Sequence, residues 1–283
     1  MSGMIPRPAE GTAQLVDRAA TRPSIRSTIQ SLATYRHLLR NLVSKDLKLK
    51  YRGSVFGFLW SLANPLLLIL VYSFVFGHIM REGPENFAYF LMVGILPWNF
   101  FAQSLMMSTG SILDNGNLIR KVALPMEVFP VATVLFNLAQ YIFALIVFFP
   151  MALLFFKVPF AWSWVSFLPI LALQLLFTLG LCFVLSAATV FYRDVRHFTE
   201  IFLTLLFWLT PIVYDVQNVP AALKMALYMN PFAHFILAYQ NALYRNGVGS
   251  FDHLLVIALL AFLSFASGYT LFMLCRARFP EEA

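Results

Sequence analysis

Long uncharged stretches separated by short polar segments run through most of the chain. Six positive charges fall between Arg36 and Arg52, and residues 53–80 then contain no Asp, Glu, Lys or Arg. Since about 20 apolar residues suffice to cross a bilayer, this stretch predicts a membrane-spanning helix. Short basic flanks stay on the cytoplasmic side, so we expect the helix to run from the inside to the outside.

The same pattern recurs along the rest of the chain. The predicted spans cover approximately residues 53–80, 87–113, 128–156, 162–192, 198–214 and 254–275. The fifth is short, and Pro211 is expected to end it. The segments assigned to the cytoplasm hold 16 of the 20 Lys and Arg residues, which favours both termini inside. The predicted fold is therefore all-α and polytopic, with six transmembrane helices in one domain, residues 52–276.

The residues outside these spans predict a cytoplasmic tail at each end and a surface helix. Residues 1–30 are polar and contain three prolines, which is typical of a disordered tail, and residues 277–283 form a short second tail. Residues 31–51 place their apolar side chains on one helical face: Leu32, Tyr35, Leu39, Leu42 and Val43. This pattern favours an amphipathic helix along the inner membrane surface. A solvated helix is the alternative.

Residues 215–245 are too apolar for a water-exposed loop, yet Asn230-Pro231 interrupts them. Two short re-entrant helices, which dip into the outer leaflet and return, would satisfy this pattern. Non-helical backbone at that depth requires cover from protein or from a water-filled cavity. A pair of amphipathic helices on the surface is the alternative.

Composition narrows the class of protein. The chain is 60% hydrophobic and only 12% charged, which excludes an ordinary water-soluble domain. The net charge of +7 lies beside apolar spans, so anionic lipid explains it better than nucleic acid does. Cys182 and Cys275 lie in separate apolar runs and form neither a disulfide framework nor a metal site.

Several kinds of chemistry lack their signature in the sequence. There is no GxxxxGK[ST] phosphate-binding loop, so this chain is not expected to bind ATP by that device. No acidic residue lies deep inside a predicted span, which argues against an ion-coupled carrier or a channel. Neither HExxH nor GxSxG is present, so we do not expect an enzyme. A membrane enzyme acting on lipid-linked sugars is a remote alternative.

The first span contains two features with both a structural and a functional interpretation. Gly53, Gly57 and Ser61 stand four residues apart, and small residues at this spacing let helices approach closely. They indicate packing within one subunit or a mobile contact between subunits. Asn64-Pro65 predicts a kink, used either as a hinge or pore bend or only structurally.

Residues 114–127 form a short polar segment between the second and third spans. Asn115-Gly116-Asn117 is expected to end one helix, and residues 118–121 could form another, stopped by Pro125. A short helix here has the right size to dock into a cytosolic partner, whereas the alternative is an ordinary inside loop. The residues expected to make this contact are Asn115, Asn117, Leu118, Arg120, Lys121, Pro125 and Glu127.

The fourth span ends at Arg193-Asp194-Val195-Arg196. Cations are favourable at a helix C-terminus, so these residues predict either a local salt-bridged cap or a contact with a partner.

Together these stretches resemble the permease subunit of the ATP-binding-cassette exporters that move polysaccharides or polyol phosphates out of bacteria. The matching stretches are KLKYRGSVFGFLWSLANP, YFLMVGILPWNFFAQSL, LIRKVALPMEVFPV, FYRDVRHF, TPIVYDVQNVP and MNPF. The first and third are specific, and the resemblance covers about residues 35–250. One departure is Phe56-Gly57, where relatives commonly have Leu-Gly. This keeps both the bulk and the glycine.

The resemblance implies a homodimer in the bacterial inner membrane above two copies of a separate ATP-binding subunit. Residues 114–127 and the amphipathic helix would contact that subunit, which would carry ATP and Mg, while this chain binds no cofactor. ATP hydrolysis would drive a lipid-linked, O-antigen-like polysaccharide through a channel at the dimer interface. Capsule, teichoic acid and small-molecule cargo are alternatives. The short loop between the first two spans disfavours a drug exporter.

The resemblance also suggests residues for this pathway. Tyr51 and Arg52 would lie near the inner mouth, where they could meet the pyrophosphate of a lipid carrier. The candidates for substrate access and the channel are Tyr51, Arg52, Gly57, Trp60, Asn64 and Pro65. Arg193, Asp194 and Arg196 are candidates for a cytoplasmic gate.

Overall fold

The computed structural model describes residues 30, 33–53, 59–75, 84–121, 124–247 and 251–282. All the regular structure in this part of the chain is helical. The helices, in chain order, are α1 (Arg36–Tyr51), α2 (Leu59–Tyr72), α3 (Phe87–Ser108), α4 (Gly116–Lys121), α5 (Val128–Leu154), α6 (Phe167–Phe191), α7 (Val195–Trp208), α8 (Ala221–Met229), α9 (Pro231–Tyr239), α10 (Phe251–Cys275) and α11 (Phe279–Glu282).

Within the described residues, four helices are long and apolar enough to cross a membrane. They are Phe87–Ser108, Val128–Leu154, Trp162–Phe191 and Leu254–Arg278. Each has at least 22 residues, against the ~20 that a bilayer requires. The chain is thus a multi-pass helical membrane protein. These helices coincide with the predicted second, third, fourth and sixth spans.

The other two predicted spans contain shorter helices, so whether they cross the membrane stays a prediction. Helices α2 and α7 have 14 residues each, which is about 21 Å at 1.5 Å per residue. Residues 54–58 and 76–80, with Gly57 among them, lie outside the described part of the chain. Helix α7 ends at Trp208, before Pro211, because Asn230 and Gln240 bind the carbonyl groups of Leu209 and Pro211 at 3.3 and 2.6 Å.

Helices α6 and α10 touch through their backbones. A Cβ atom built on Gly268 would lie 2.0 Å from the carbonyl oxygen of Gly180, and one on Gly180 would lie 2.4 Å from the carbonyl group of Ser264. The Ser264 hydroxyl also donates to the Phe177 carbonyl at 2.9 Å. Small residues allow this close approach, which compensates in lipid for the missing hydrophobic drive between helices.

The buried apolar residues form two large clusters at different places along these helices. The main core is built mostly from α3, α5, α6 and α9. The small cluster gathers the beginning of α5, the ends of α6 and α10, and the residues around α4. Its buried members are Leu42, Ile112, Ile119, Val128, Phe129, Ala132, Phe183, Ala187, Val190, Tyr269, Phe272 and Phe279.

Helix α1 begins at Arg36, five residues later than the predicted start of the amphipathic helix. Its apolar face packs on the small cluster, through Tyr35, Leu38, Leu39, Leu42 and Val43. This face includes four of the five residues expected from the helical spacing. Leu32 and residues 1–29 lie outside the described part of the chain. A position of α1 on the membrane surface remains a prediction.

Residues 215–245 contain two short helices that meet at Asn230. The Asn230 side chain accepts a hydrogen bond from the Phe232 amide at 2.9 Å, which caps α9, and donates to the Thr210 hydroxyl at 2.8 Å. Most of α9 is buried in the main core, whereas α8 is largely exposed. The break therefore lies where protein covers the backbone, which a re-entrant pair requires. The depth of this pair in the membrane stays a prediction.

Candidate functional site

A cavity of about 280 Å³ opens between α1, α2, α3 and α5. Four amide side chains give it a polar wall inside otherwise apolar helices. Its lining residues are Lys50, Tyr51, Trp60, Leu96, Asn99, Phe100, Gln103, Asn137, Gln140, Tyr141 and Ala144. We call this space the amide cavity. Amides at membrane depth are favourable only where they find partners or water, so the cavity is suited to a polar occupant.

The end of α1 closes one side of the amide cavity. The Lys50 ammonium donates a hydrogen bond to Gln140 Oε1 and lies 5.7 Å from the centre of the Phe136 ring. The Tyr51 hydroxyl donates to the same oxygen at 3.4 Å. Desolvation lowers the pKa of Lys50 from its ordinary value of 10.5. A cation held here in partly dry surroundings would attract an anionic group more strongly than one in bulk water.

The amides of α5 form a connected chain. Gln140 Nε2 lies 3.4 Å from Asn137 Oδ1, and Asn137 Nδ2 donates to the Thr133 carbonyl at 2.9 Å. These bonds use some of the donors and acceptors, since an amide offers two of each. The remaining capacity can face a ligand with hydroxyl groups.

A second groove, of about 350 Å³, adjoins the amide cavity and has aromatic walls. It lies between α2, α3 and α7, and its rings are Tyr72, Trp98, Phe207 and Trp208. The Trp98 and Phe207 rings are 5.6 Å apart edge to face, and the Phe207 and Trp208 rings are 5.4 Å apart. We call this the aromatic groove. Asn99 lines both spaces, so together they form one path along α3.

Only some of the predicted access and channel residues come together in this path. Tyr51 and Trp60 line the amide cavity, and Arg52 is exposed directly after Tyr51. Asn64 and Pro65 lie within α2, and Gly57 is outside the described residues. The channel role of all six stays a prediction.

Sequence reasoning missed the four amides: Asn99, Gln103, Asn137 and Gln140. A signal was available, because Asn99 and Gln103 are four residues apart and Asn137 and Gln140 are three apart. Each pair therefore lies on one helical face. Two polar pairs in uncharged spans indicate a shared polar surface.

The segment 114–127 contains the predicted short helix, α4. Asn117, Arg120 and Lys121 are exposed on it, while Ile119 is buried in the small cluster. Helix α4 thus has an apolar side that anchors it and a polar, basic side that is available to a partner.

The remaining residues predicted for this contact are less exposed. Asn115 donates from Nδ2 to the Ser111 carbonyl at 2.9 Å, and Leu118 and Pro125 are half-buried. Glu127 is only 2% exposed and pairs with Arg276 at 3.1 Å. The Glu127 side chain therefore faces the protein interior. The docking role of this segment stays a prediction.

Arg193, Asp194 and Arg196 are exposed in the turn between α6 and α7. Asp194 precedes α7 without a side-chain capping hydrogen bond. The ion pairs found among the described residues join Lys45 to Asp46, Arg245 to Asp215 and Arg276 to Glu127, so none of them is the predicted local salt bridge. The gate role of these residues stays a prediction.

Comparison with known proteins identifies relatives over most of the chain. The family model of the ABC-2 type transporter matches residues 37–244, more than half of the chain. The O-antigen export system permease protein RfbA of Myxococcus xanthus is 33% identical over 256 residues, which cover 90% of this chain and 98% of that protein. The protein of the same name from Klebsiella pneumoniae is 33% identical over 245 residues, 86% of this chain and 94% of the relative.

Proposed function

Since the chain belongs to the ABC-2 type transporter family as a permease subunit, we propose that it exports a lipid-linked, O-antigen-like polysaccharide across the bacterial inner membrane. It would act as a homodimer with two copies of a cytosolic ATP-binding subunit. That subunit would hold ATP and Mg and carry out hydrolysis, while this chain would form the path.

The observation that carries this proposal is the continuity of the amide cavity with the aromatic groove at Asn99. Amides can exchange hydrogen bonds with sugar hydroxyl groups. Aromatic rings offer a flat apolar surface to the C–H faces of a sugar, and a Tyr or Trp ring adds a polar edge. Each contact is weak, so a polymer can move from one to the next without being trapped.

The positive charges near the end of α1 suit the front of such a substrate. Lys50 lines the amide cavity, and Tyr51 and Arg52 follow it directly. A lipid-linked glycan carries its negative charge on the phosphate groups next to the lipid. With the termini inside, this end of the path is cytoplasmic, so these residues would meet the phosphates as the substrate enters.

Helix α4 supports the proposed coupling to ATP hydrolysis. Its exposed residues Asn117, Arg120 and Lys121 form a compact basic surface, held from behind by Ile119. Force from a partner on such an anchored helix is transmitted to the packed cluster and is not lost in a loose loop.

Asn99→Leu tests the path. It keeps the approximate volume of the side chain but removes the amide shared by both spaces. In cells that lack the native permease, we expect the variant to reach the wild-type membrane level while surface polysaccharide falls several-fold. The matched control is Thr270→Val on α10, because Thr270 is exposed and its hydroxyl bonds to the Ala266 carbonyl of the same helix at 2.7 Å.

Purification in mild detergent tests the exporter assignment itself. A stoichiometric partner with a GxxxxGK[ST] loop should accompany the tagged permease. If Asn99→Leu exports normally, the path is wrong. If no ATPase accompanies the wild-type protein, the exporter assignment is wrong.

A further inference from the structure

Glu127 stands at the beginning of α5 with its side chain turned into the protein. It is 2% exposed, and its Oε1 atom accepts a hydrogen bond from Arg276 Nη1 at 3.1 Å. Its Oε2 atom is buried without a hydrogen-bond partner. A buried carboxylate is costly unless it is paired, so Arg276 holds a charge that the surrounding apolar cluster does not.

This ion pair connects two distant parts of the chain. Glu127 ends the segment 114–127, and Arg276 follows the last residue of α10. Of the three ion pairs among the described residues, this is the one that joins that segment to a membrane-spanning helix. It therefore ties the predicted partner-binding segment to the α6–α10 pair.

The residues after Arg276 strengthen the connection. Phe279 is fully buried in the small cluster, which also contains Ile112 and Ile119 from either side of the predicted coupling segment's first turn. Its ring lies 5.1 Å from that of Phe272 and 6.3 Å from that of Phe191. The short helix α11 thus lies against both α4 and α6.

We propose that residues 276–282 form a clamp that positions the coupling segment, with Glu127 and Arg276 as a positioning pair. This inference rests on the proposed function, in which the ATP-binding subunit presses on α4. The clamp holds α4 against the ends of α6 and α10, so that movement of α4 displaces these helices. Without it, α4 would shift alone, and hydrolysis would proceed with less export.

The chain offers a graded set of variants. Arg276→Gln leaves the buried Glu127 carboxylate without its partner, which is the most damaging single change. Glu127→Gln removes the charge and is expected to be milder. The double variant should resemble Glu127→Gln more than the sum of the two, because the unpaired charge is gone. Arg276→Lys keeps the cation and should retain most of the clamp. Arg278→Gln, an exposed position two residues later, is the matched control.

Hydrogen exchange of the full chain in lipid nanodiscs measures the clamp directly. In Arg276→Gln we expect the α4 amides to exchange about tenfold faster or more, the size expected when a charge-assisted hydrogen bond is lost. Amides of α3 should be unchanged. Arg276→Lys should exchange nearly as slowly as the wild type. Unchanged exchange in α4, or equally faster exchange in α3, would overturn the clamp.

The complex with its ATPase supplies the functional measurement. In Arg276→Gln, polysaccharide exported per ATP hydrolysed should fall several-fold at an unchanged amount of bound ATPase, and Arg276→Lys should restore it. If the ATPase fails to bind even the wild-type chain, the proposed function is wrong while the exchange result still tests the clamp. If exchange rises but export per ATP does not fall, the pair has no positioning role.

Discussion

Gly268→Ala tests the closest contact between two membrane helices of this protein. The added Cβ atom would lie 2.0 Å from the Gly180 carbonyl oxygen and 2.8 Å from its carbonyl carbon. Because C–H···O contacts between helices have C···O distances of about 3.3 Å or more, α6 and α10 would have to separate by about 1.3 Å. The obstacle is backbone, so rotation of a side chain cannot relieve it.

This separation costs more than alanine returns. Overpacking typically costs about 1–3 kcal/mol, and a radial gap of about 0.5–1 Å already forfeits a quarter to a half of each dispersion contact along the crossing. Alanine recovers about 1 kcal/mol of helix propensity. We expect a net loss of about 2 kcal/mol, which lowers the unfolding midpoint by about 5 °C.

The assay is thermal unfolding in detergent at one fixed heating rate, because irreversible unfolding makes the midpoint depend on that rate. Other glycines provide a graded series. The nearest atom to an added Cβ is at 2.4 Å for Gly180, 3.2 Å for Gly94 and 3.7 Å for Gly247. Destabilisation by alanine should follow that order, with Gly247 near neutral. A Gly268→Ala midpoint at or above the wild-type value would refute the reasoning, since helix propensity would then outweigh the contact.

Two further changes probe α9 and the amide cavity. Asn230→Ala removes the α9 cap and the bond to Thr210, and should cost about 1–2 kcal/mol; thermal unfolding beside Asn218→Ala, a control in the neighbouring turn, measures it, and an equal midpoint would contradict the capping role. Desolvation lowers the folded-state pKa of Lys50 below 10.5, its ordinary value, so charging Lys50 opposes folding. The wild type should therefore gain stability relative to Lys50→Met as pH rises through the lowered pKa towards 10.5. Unfolding midpoints of both proteins between pH 7 and 10.5 check this, and a constant difference would show that Lys50 does not contribute.

The long uncharged stretches predicted the principal helices closely. The predicted stretch 128–156 contains α5, Val128–Leu154, and 162–192 contains the helical run Trp162–Phe191. Such helices depend on a local property, since in lipid each backbone group must bond within its own segment. The end of α7 was harder to predict. It depends on Asn230 and Gln240, which approach from a later part of the chain.

The candidate site could be predicted only in part, because it depends on how distant helices are arranged. Tyr51 and Trp60 were found from the sequence, since they flank the beginning of a span. Gln140 was not, although it accepts the Lys50 hydrogen bond across 90 positions. Glu127 was expected in a contact with a partner, as an acidic residue in a polar segment. Only the folded chain brings it to Arg276, 149 positions away.

Helix α5 offers a physical route from the coupling segment to the path. It begins directly after Glu127, where the clamp acts, and its first residues lie in the small cluster. Asn137 and Gln140 lie ten and 13 residues further on, about 15–20 Å along the helix. Because a packed helix moves nearly as a rigid body, a displacement at Glu127 would change how these amides face the cavity. The two proposals therefore share one requirement. A variant that loosens the clamp should reduce export without any change in the residues that line the path.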